Sequence, residues 1–164
     1  MKSLTNLFFL LISPPRNVVE GVSYFKEQAS KCIGQSYKSR HSKAHLTLHQ
    51  YEDFHNESLL YNYSDAISDI KSFTISIKDF GFFKNNGTIF LNPYAPDLHE
   101  LSARLGRSIT PHITIARNLN PKDFDLVWSY FKNLSYSNFF QCKSVTVLKW
   151  INTKWNFHTN LLLK

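Results

Sequence analysis

The chain has 164 residues, 43% of them hydrophobic and 15% aromatic, with five glycines and six prolines. That composition excludes a disordered or low-complexity protein and allows one compact unit with a real core. Nineteen Lys and Arg against twelve Asp and Glu leave a net charge of +7, which suits a polyanionic partner but which a surface can also carry for solubility alone.

In chain order, residues 6–12, NLFFLLI, are a short apolar run ended by Ser13-Pro14-Pro15, the pattern of a buried strand rather than a secretory leader or a membrane span. Val18, Val22, Phe25 and Ala29 then recur at helical spacing to about residue 30. The polar, basic stretch GQSYKSRHSK leads into a strand, AHLTLHQ, after which Leu59, Leu60, Tyr63, Ile67 and Ile70 mark a second helix. SFTISIKDFGFF alternates as a strand, and KNNG turns the chain into a further strand, TIFLN, because Asn and Gly tolerate the positive φ of tight turns. Leu98, Leu101 and Leu105 predict a short third helix, and Pro111 sets the start of a strand at His112. A fourth helix is expected from Pro121, capped by Asn120, with Phe124, Val127, Trp128 and Phe131 inward. SVTVLKW and KWNFHTNLLL close the chain as two strands paired around Ile151-Asn152-Thr153.

Residues 6–80 thus read strand, helix, strand, helix, strand, and residues 88–149 read the same order again, which points to an internal duplication within one domain covering 1–164. The fold class expected is α+β: two lobes related by a pseudo-twofold, each an antiparallel sheet flanked by helices, facing each other across a central groove.

One motif occupies the same place in both halves: His45-Leu46-Thr47-Leu48 and His112-Ile113-Thr114-Ile115. Side chains alternate along a strand, so His45 and Thr47 share a face about 6–7 Å apart, with the leucines behind them; His112 and Thr114 repeat this over Ile113 and Ile115. A lone His-x-Thr strand is usually structural. Two copies in equivalent positions can line one pocket with two imidazoles and two hydroxyls, a set suited to phosphoester chemistry. Neutral His takes a proton, protonated His gives one, and the Thr hydroxyls donate to non-bridging phosphoryl oxygens.

The ordered set LFFLLISPPRNVVEGVSYF, HLTL, PHITIAR and LKWINTKW resembles the two-histidine (2H) phosphoesterases, which include the bacterial RNA 2′,3′-cyclic phosphodiesterases also called 2′-5′ RNA ligases, and the resemblance covers nearly the whole chain. It implies catalysis by His45, Thr47, His112 and Thr114 without a metal or other cofactor, and contact between Arg117 and the substrate phosphate. Strict alternation puts Arg117 on the face opposite His112 and Thr114, so a bulge is needed to aim it into the groove.

His49 shares the expected face of His45 and Thr47, and is either a groove residue or an exposed strand-end histidine. About 13 Å separates His45 from His49 in a strand, too far to share a metal. Phe82, Phe83 and Tyr94 lie near the hairpin between the halves, where an aromatic can stack on a base or simply pack. Lys43, Lys149 and Trp150 are candidates for the groove rim. Cys32 and Cys142 have no metal-type spacing and are expected to be free thiols of a reducing compartment, hence a cytoplasmic protein.

The function expected is hydrolysis of 2′,3′-cyclic phosphate ends of RNA or nucleotides, by resemblance to a 2′-phosphate. The partner is then an RNA or nucleotide, the protein a monomer, and no membrane is involved. Cleavage or ligation of 2′-5′ linked oligonucleotides uses the same residues, and a noncatalytic RNA-binding module is the alternative of another class.

Overall fold

A computed structural model describes residues 6–53 and 58–164. Strand β1 (Asn6–Ile12) is followed, after two prolines, by helix α1 (Arg16–Ile33). The helix turns Val18, Val22, Phe25 and Ala29 into the core and stops at Gly34, whose φ of 70° gives a left-handed cap. Next come β2 (Leu46–Asp53), α2 (Ser58–Ile67), β3 (Phe73–Phe83) and, after a single 3-10 turn, β4 (Thr88–Tyr94). The second half of the chain contributes α3 (Pro96–Arg104), β5 (Ile113–Ala116), α4 (Pro121–Phe131), β6 (Ser137–Cys142), β7 (Ser144–Ile151) and β8 (Lys154–Leu162). Helix α4 begins as its sequence predicts: the Asp123 amide donates to Asn120 Oδ1 at 2.9 Å, with Pro121 at the first helical position.

The class is α+β. In place of two separate sheets, however, all eight strands form one antiparallel sheet in the order β6-β3-β4-β5-β2-β1-β7-β8. The two four-stranded halves meet between β2 and β5 through one registered pair, Leu46 with Ile113. Two separate sheets would each leave a motif strand with an unpaired edge; joining them satisfies both. The order also interleaves the sequence: β3 lies beside β4 and β6, while β7 lies beside β1 and carries β8 at the edge. Helix α1 likewise packs on β5 and α4, whereas α2 packs on α3 and β8. One buried cluster runs through both halves, including Phe8, Leu10, Leu46, Leu48, Ile89, Leu91, Ile113 and Ile115.

Strand β6 has no counterpart in the sequence reading. Its SNFFQC pattern buries only Phe140 and Cys142, too short an alternation to register against the flanking turns. Both cysteines are free, and burial pushes the Cys142 thiol up to about 12. Among the described residues, no helix is long and apolar enough to cross a membrane.

Candidate active site

Leu46 and Ile113 point into the core, so the residues on either side of them point the other way. Because β2 and β5 are antiparallel with these two residues paired, the register sets His45 against Thr114 and Thr47 against His112. Directly opposed strand residues have Cβ atoms about 4.5–5.5 Å apart. All four line one cavity of about 280 Å³, together with Ser42, Phe83, Asn86, Thr88, Arg117 and Asn118.

The two imidazoles are held alike. His45 Nδ1–H donates to the Lys43 carbonyl at 2.7 Å, and His112 Nδ1–H donates to the Thr110 carbonyl at 2.8 Å. Each ring is thereby fixed in the tautomer that leaves Nε2 for proton transfer. Aromatic edges support them: Phe9 lies 5.4 Å from the His45 ring and Phe83 lies 5.2 Å from the His112 ring, both T-shaped. Gly81 makes room on the second side, since a Cβ there would lie 2.7 Å from the Phe90 ring, and Phe90 in turn packs on His112.

Two bulges decide which neighbours join the site. In β2, Leu10 pairs with His49 but Leu11 with Thr47, leaving Leu48 as the extra residue. In β5, Ile89 pairs with Ala116 but Phe90 with Thr114, leaving Ile115 as the extra residue. After each bulge the faces exchange. The bulge at Ile115 brings Arg117 onto the face of His112 and Thr114, where it lines the cavity. The bulge at Leu48 does the reverse for His49, which takes the face of buried Leu10 and packs 6.2 Å from Tyr63 of α2.

His49 is therefore not a groove residue. Neither is Phe82: a third irregularity in β3, at Asp79 with φ 56°, shifts the register between Ile77 and Phe80. Phe82 then stacks on Phe124 and Trp128 of α4, and Phe83 takes the groove face. Tyr94 shares the face of Thr88 and Phe90 but sits, exposed, at the far end of β4, about 13 Å beyond Phe90. Of the rim candidates, Lys43 offers its carbonyl to His45, Lys149 lies 5.4 Å above the ring of buried Phe8, and Trp150 is exposed on the face that carries Phe9.

Sequence reasoning passed over Ser42, Asn86, Thr88 and Asn118. The two asparagines were signalled by NNG and RNLN, each a turn. Asn118 N–H donates to the Asn86 carbonyl at 3.1 Å and Leu119 N–H to the Gly87 carbonyl at 3.1 Å. Gly87, at φ 57°, is obligatory there: a Cβ would collide with the Leu119 carbonyl oxygen.

Beneath the site lies Lys26, only 2% exposed. Its ammonium spends three donors on the Ser39 carbonyl (2.8 Å), the Ser42 carbonyl (2.8 Å) and Ser42 Oγ (2.7 Å). Ser39 Oγ accepts the Arg117 amide at 3.1 Å, and Tyr37 hydroxyl donates to the Ile115 carbonyl at 3.0 Å. The loop before β2 is thus tied at once to α1 and to the bulged end of β5. Burial, with Arg40 and Arg117 adding to it, lowers the Lys26 ammonium to about 8. Desolvation also lowers His45, and the nearby positive charges of Lys26, Arg117 and His112 act in the same sense. The cavity lining carries Arg117 and no carboxylate, so it favours an anion.

A family model described as the 2′-5′ RNA ligase superfamily matches residues 14–154. The chain belongs to this superfamily. Its members include the 2H phosphoesterases, and solved structures of that kind share its fold. E. coli LigT in apo form superposes with a TM-score of 0.69 at 15% identity, covering 98% of this chain and 99% of that one. E. coli LigT complexed with 3′-AMP gives 0.67 at 14% identity, covering 96% and 98%. TT0787 of Thermus thermophilus gives 0.68 at 14% identity, covering 96% and 97%. No curated protein sequence matches the chain. Membership in the 2′-5′ RNA ligase superfamily makes the protein a phosphoesterase or ligase.

Proposed function

We propose that the protein opens 2′,3′-cyclic phosphate ends of RNA or nucleotides to a 2′-phosphate, using two histidines as base and acid. The observation that carries this reading is the pairing of β2 with β5, which gathers His45, Thr47, His112, Thr114 and Arg117 around one cavity. The complex of E. coli LigT with 3′-AMP is consistent with a nucleotide-sized ligand.

His45 acts as the base, because its surroundings favour the neutral ring. It takes a proton from a water whose oxygen bonds to phosphorus. The bond from phosphorus to the 3′ oxygen breaks, and protonated His112 gives its proton to that oxygen, leaving a 2′-phosphate and a 3′ hydroxyl. Thr47 and Thr114 donate to the non-bridging oxygens, and Arg117 balances their charge as it grows. With a 5′ hydroxyl in place of water, the same step joins two ends through a 2′-5′ linkage and frees the 3′ hydroxyl, and run backwards it cleaves that linkage.

Purified protein in EDTA is given a nucleoside 2′,3′-cyclic phosphate and the products are separated. The expected product is the 2′-monophosphate. Failure to open the ring, with turnover of a 2′-5′ linked dinucleotide instead, moves the assignment to that linkage. Inactivity on both, with oligonucleotide binding retained, makes the protein a noncatalytic RNA-binding module.

A further inference from the structure

A run of aromatic rings leads away from His45 along the groove face of β1, β7 and β8. Phe9 lies 5.4 Å from the His45 ring, Trp155 lies 5.4 Å from Phe9, and Trp150 lies 5.1 Å from Trp155. The register keeps them on one face: Phe9 pairs with Leu148, Leu148 with Phe157, and Trp150 with Trp155. The opposite face of the same strands belongs to the core through Phe8, Val145, Val147 and Leu161. Trp150 is 42% exposed and Phe157 65%, so two large rings stand open to solvent on this face.

The other half of the sheet is not built this way. On β3 and β6 the corresponding face carries Thr74, Ser76 and Gln141 around a single aromatic, Phe139, and Gln141 bonds Thr74 at 2.6 Å. From Leu126 to Lys164 the sequence has no Asp or Glu; Lys143 and Lys164 flank β7 and β8, while Lys149 and Lys154 stand on the face opposite Trp150 and Trp155. Rings continuous with a phosphate-sized cavity, in a segment with only positive charge, match a strand whose bases stack and whose backbone is anionic.

We propose that Phe9, Trp155 and Trp150 form a stacking platform for successive nucleobases, so that the substrate is the end of a single-stranded oligonucleotide rather than a mononucleotide. This rests on the phosphoesterase reading for its placement beside the cavity, but it is measured without turnover. Affinities for a 3′-phosphorylated tetraribonucleotide and for a nucleoside 3′-monophosphate are compared by isothermal titration calorimetry.

The wild-type protein is expected to prefer the tetranucleotide about tenfold or more, and Trp150→Ala or Trp155→Ala to lose about tenfold of that preference. Trp150→Phe, which keeps a ring, retains most of it, and Trp128→Phe, on the helix side, leaves it in place. A preference near one in the wild type, or one that survives the double alanine variant, overturns the platform. So does a dimer that the double variant abolishes, since the face then belongs to a second copy. A preference that behaves as expected in a protein inactive on cyclic phosphates upholds the platform and overturns the hydrolysis.

Discussion

His45 and His112 are held by the same bond to the carbonyl two residues earlier, yet their neighbours differ. Burial lowers His45 first, and Lys26, Arg117 and His112 add positive charge. The sign follows from the neutral base: His45 is active once unprotonated, so kcat/KM rises with pH through a value below the ordinary 6.5 of an imidazole and is level above it until the acid is lost. The same lowering makes its contribution to stability full above 6.5 and lost as pH falls through the lowered value. His45→Ala is expected to cut kcat/KM by about 10²–10⁴ and to remove that acid limb. An acid limb centred above 6.5, or one that persists in His45→Ala, contradicts the assignment of the base.

At the scale of elements, much of the site is carried by departures from regular strands. The motif strands themselves were legible in the sequence, because Leu46, Leu48, Ile113 and Ile115 alternate with His and Thr and all four are buried. The bulges were not, since Leu48, Ile115 and Asp79 are not residue types that announce one, and the first two each reversed a face assignment made by parity. That single cause moves His49 and Phe82 out of the groove and brings Arg117 and Phe83 in. The tie from α1 to the loop before β2 was equally silent, for a lysine at a helical core position reads as an exposed one.

Lys26→Met removes three donors, strands the Ser42 carbonyl and leaves the Ser39 carbonyl to Ser42 alone. It is expected to cost about 1–3 kcal/mol in urea unfolding and to lower activity through the loosened Ser42 and Arg117. Lys26 falls from 10.5 when unfolded to about 8 when folded. The proton-linked part of its contribution is full above 10.5 and absent below about 8, so wild-type stability gains on the variant as pH rises between those values. A constant difference across that window shows that the ammonium is not held in this way.

Across the whole molecule, the two half-sheets share a single ladder pair at their seam but one continuous core. Strand exchange strengthens the link, because β3 leaves β2 to lie between β4 and β6, β7 leaves β6 to pair with β1, and α1 covers β5 rather than β1. A polypeptide interleaved in this manner cannot open one half without pulling strands out of the other. Unfolding should therefore be a single cooperative transition. The three tryptophans allow a direct check, for Trp128 stacks on Phe82 of β3 in one half while Trp150 and Trp155 pair between β7 and β8 in the other. Trp128→Phe reports the second pair alone, and Trp150→Phe with Trp155→Phe reports Trp128 alone. Once each variant's own change in stability is measured by circular dichroism, its fluorescence midpoint in urea should coincide with its backbone midpoint. A fluorescence midpoint separate from the backbone signal in either variant means that the halves unfold independently. The cavity between His45 and His112 would then be a joint between two lobes rather than a fixture of one sheet.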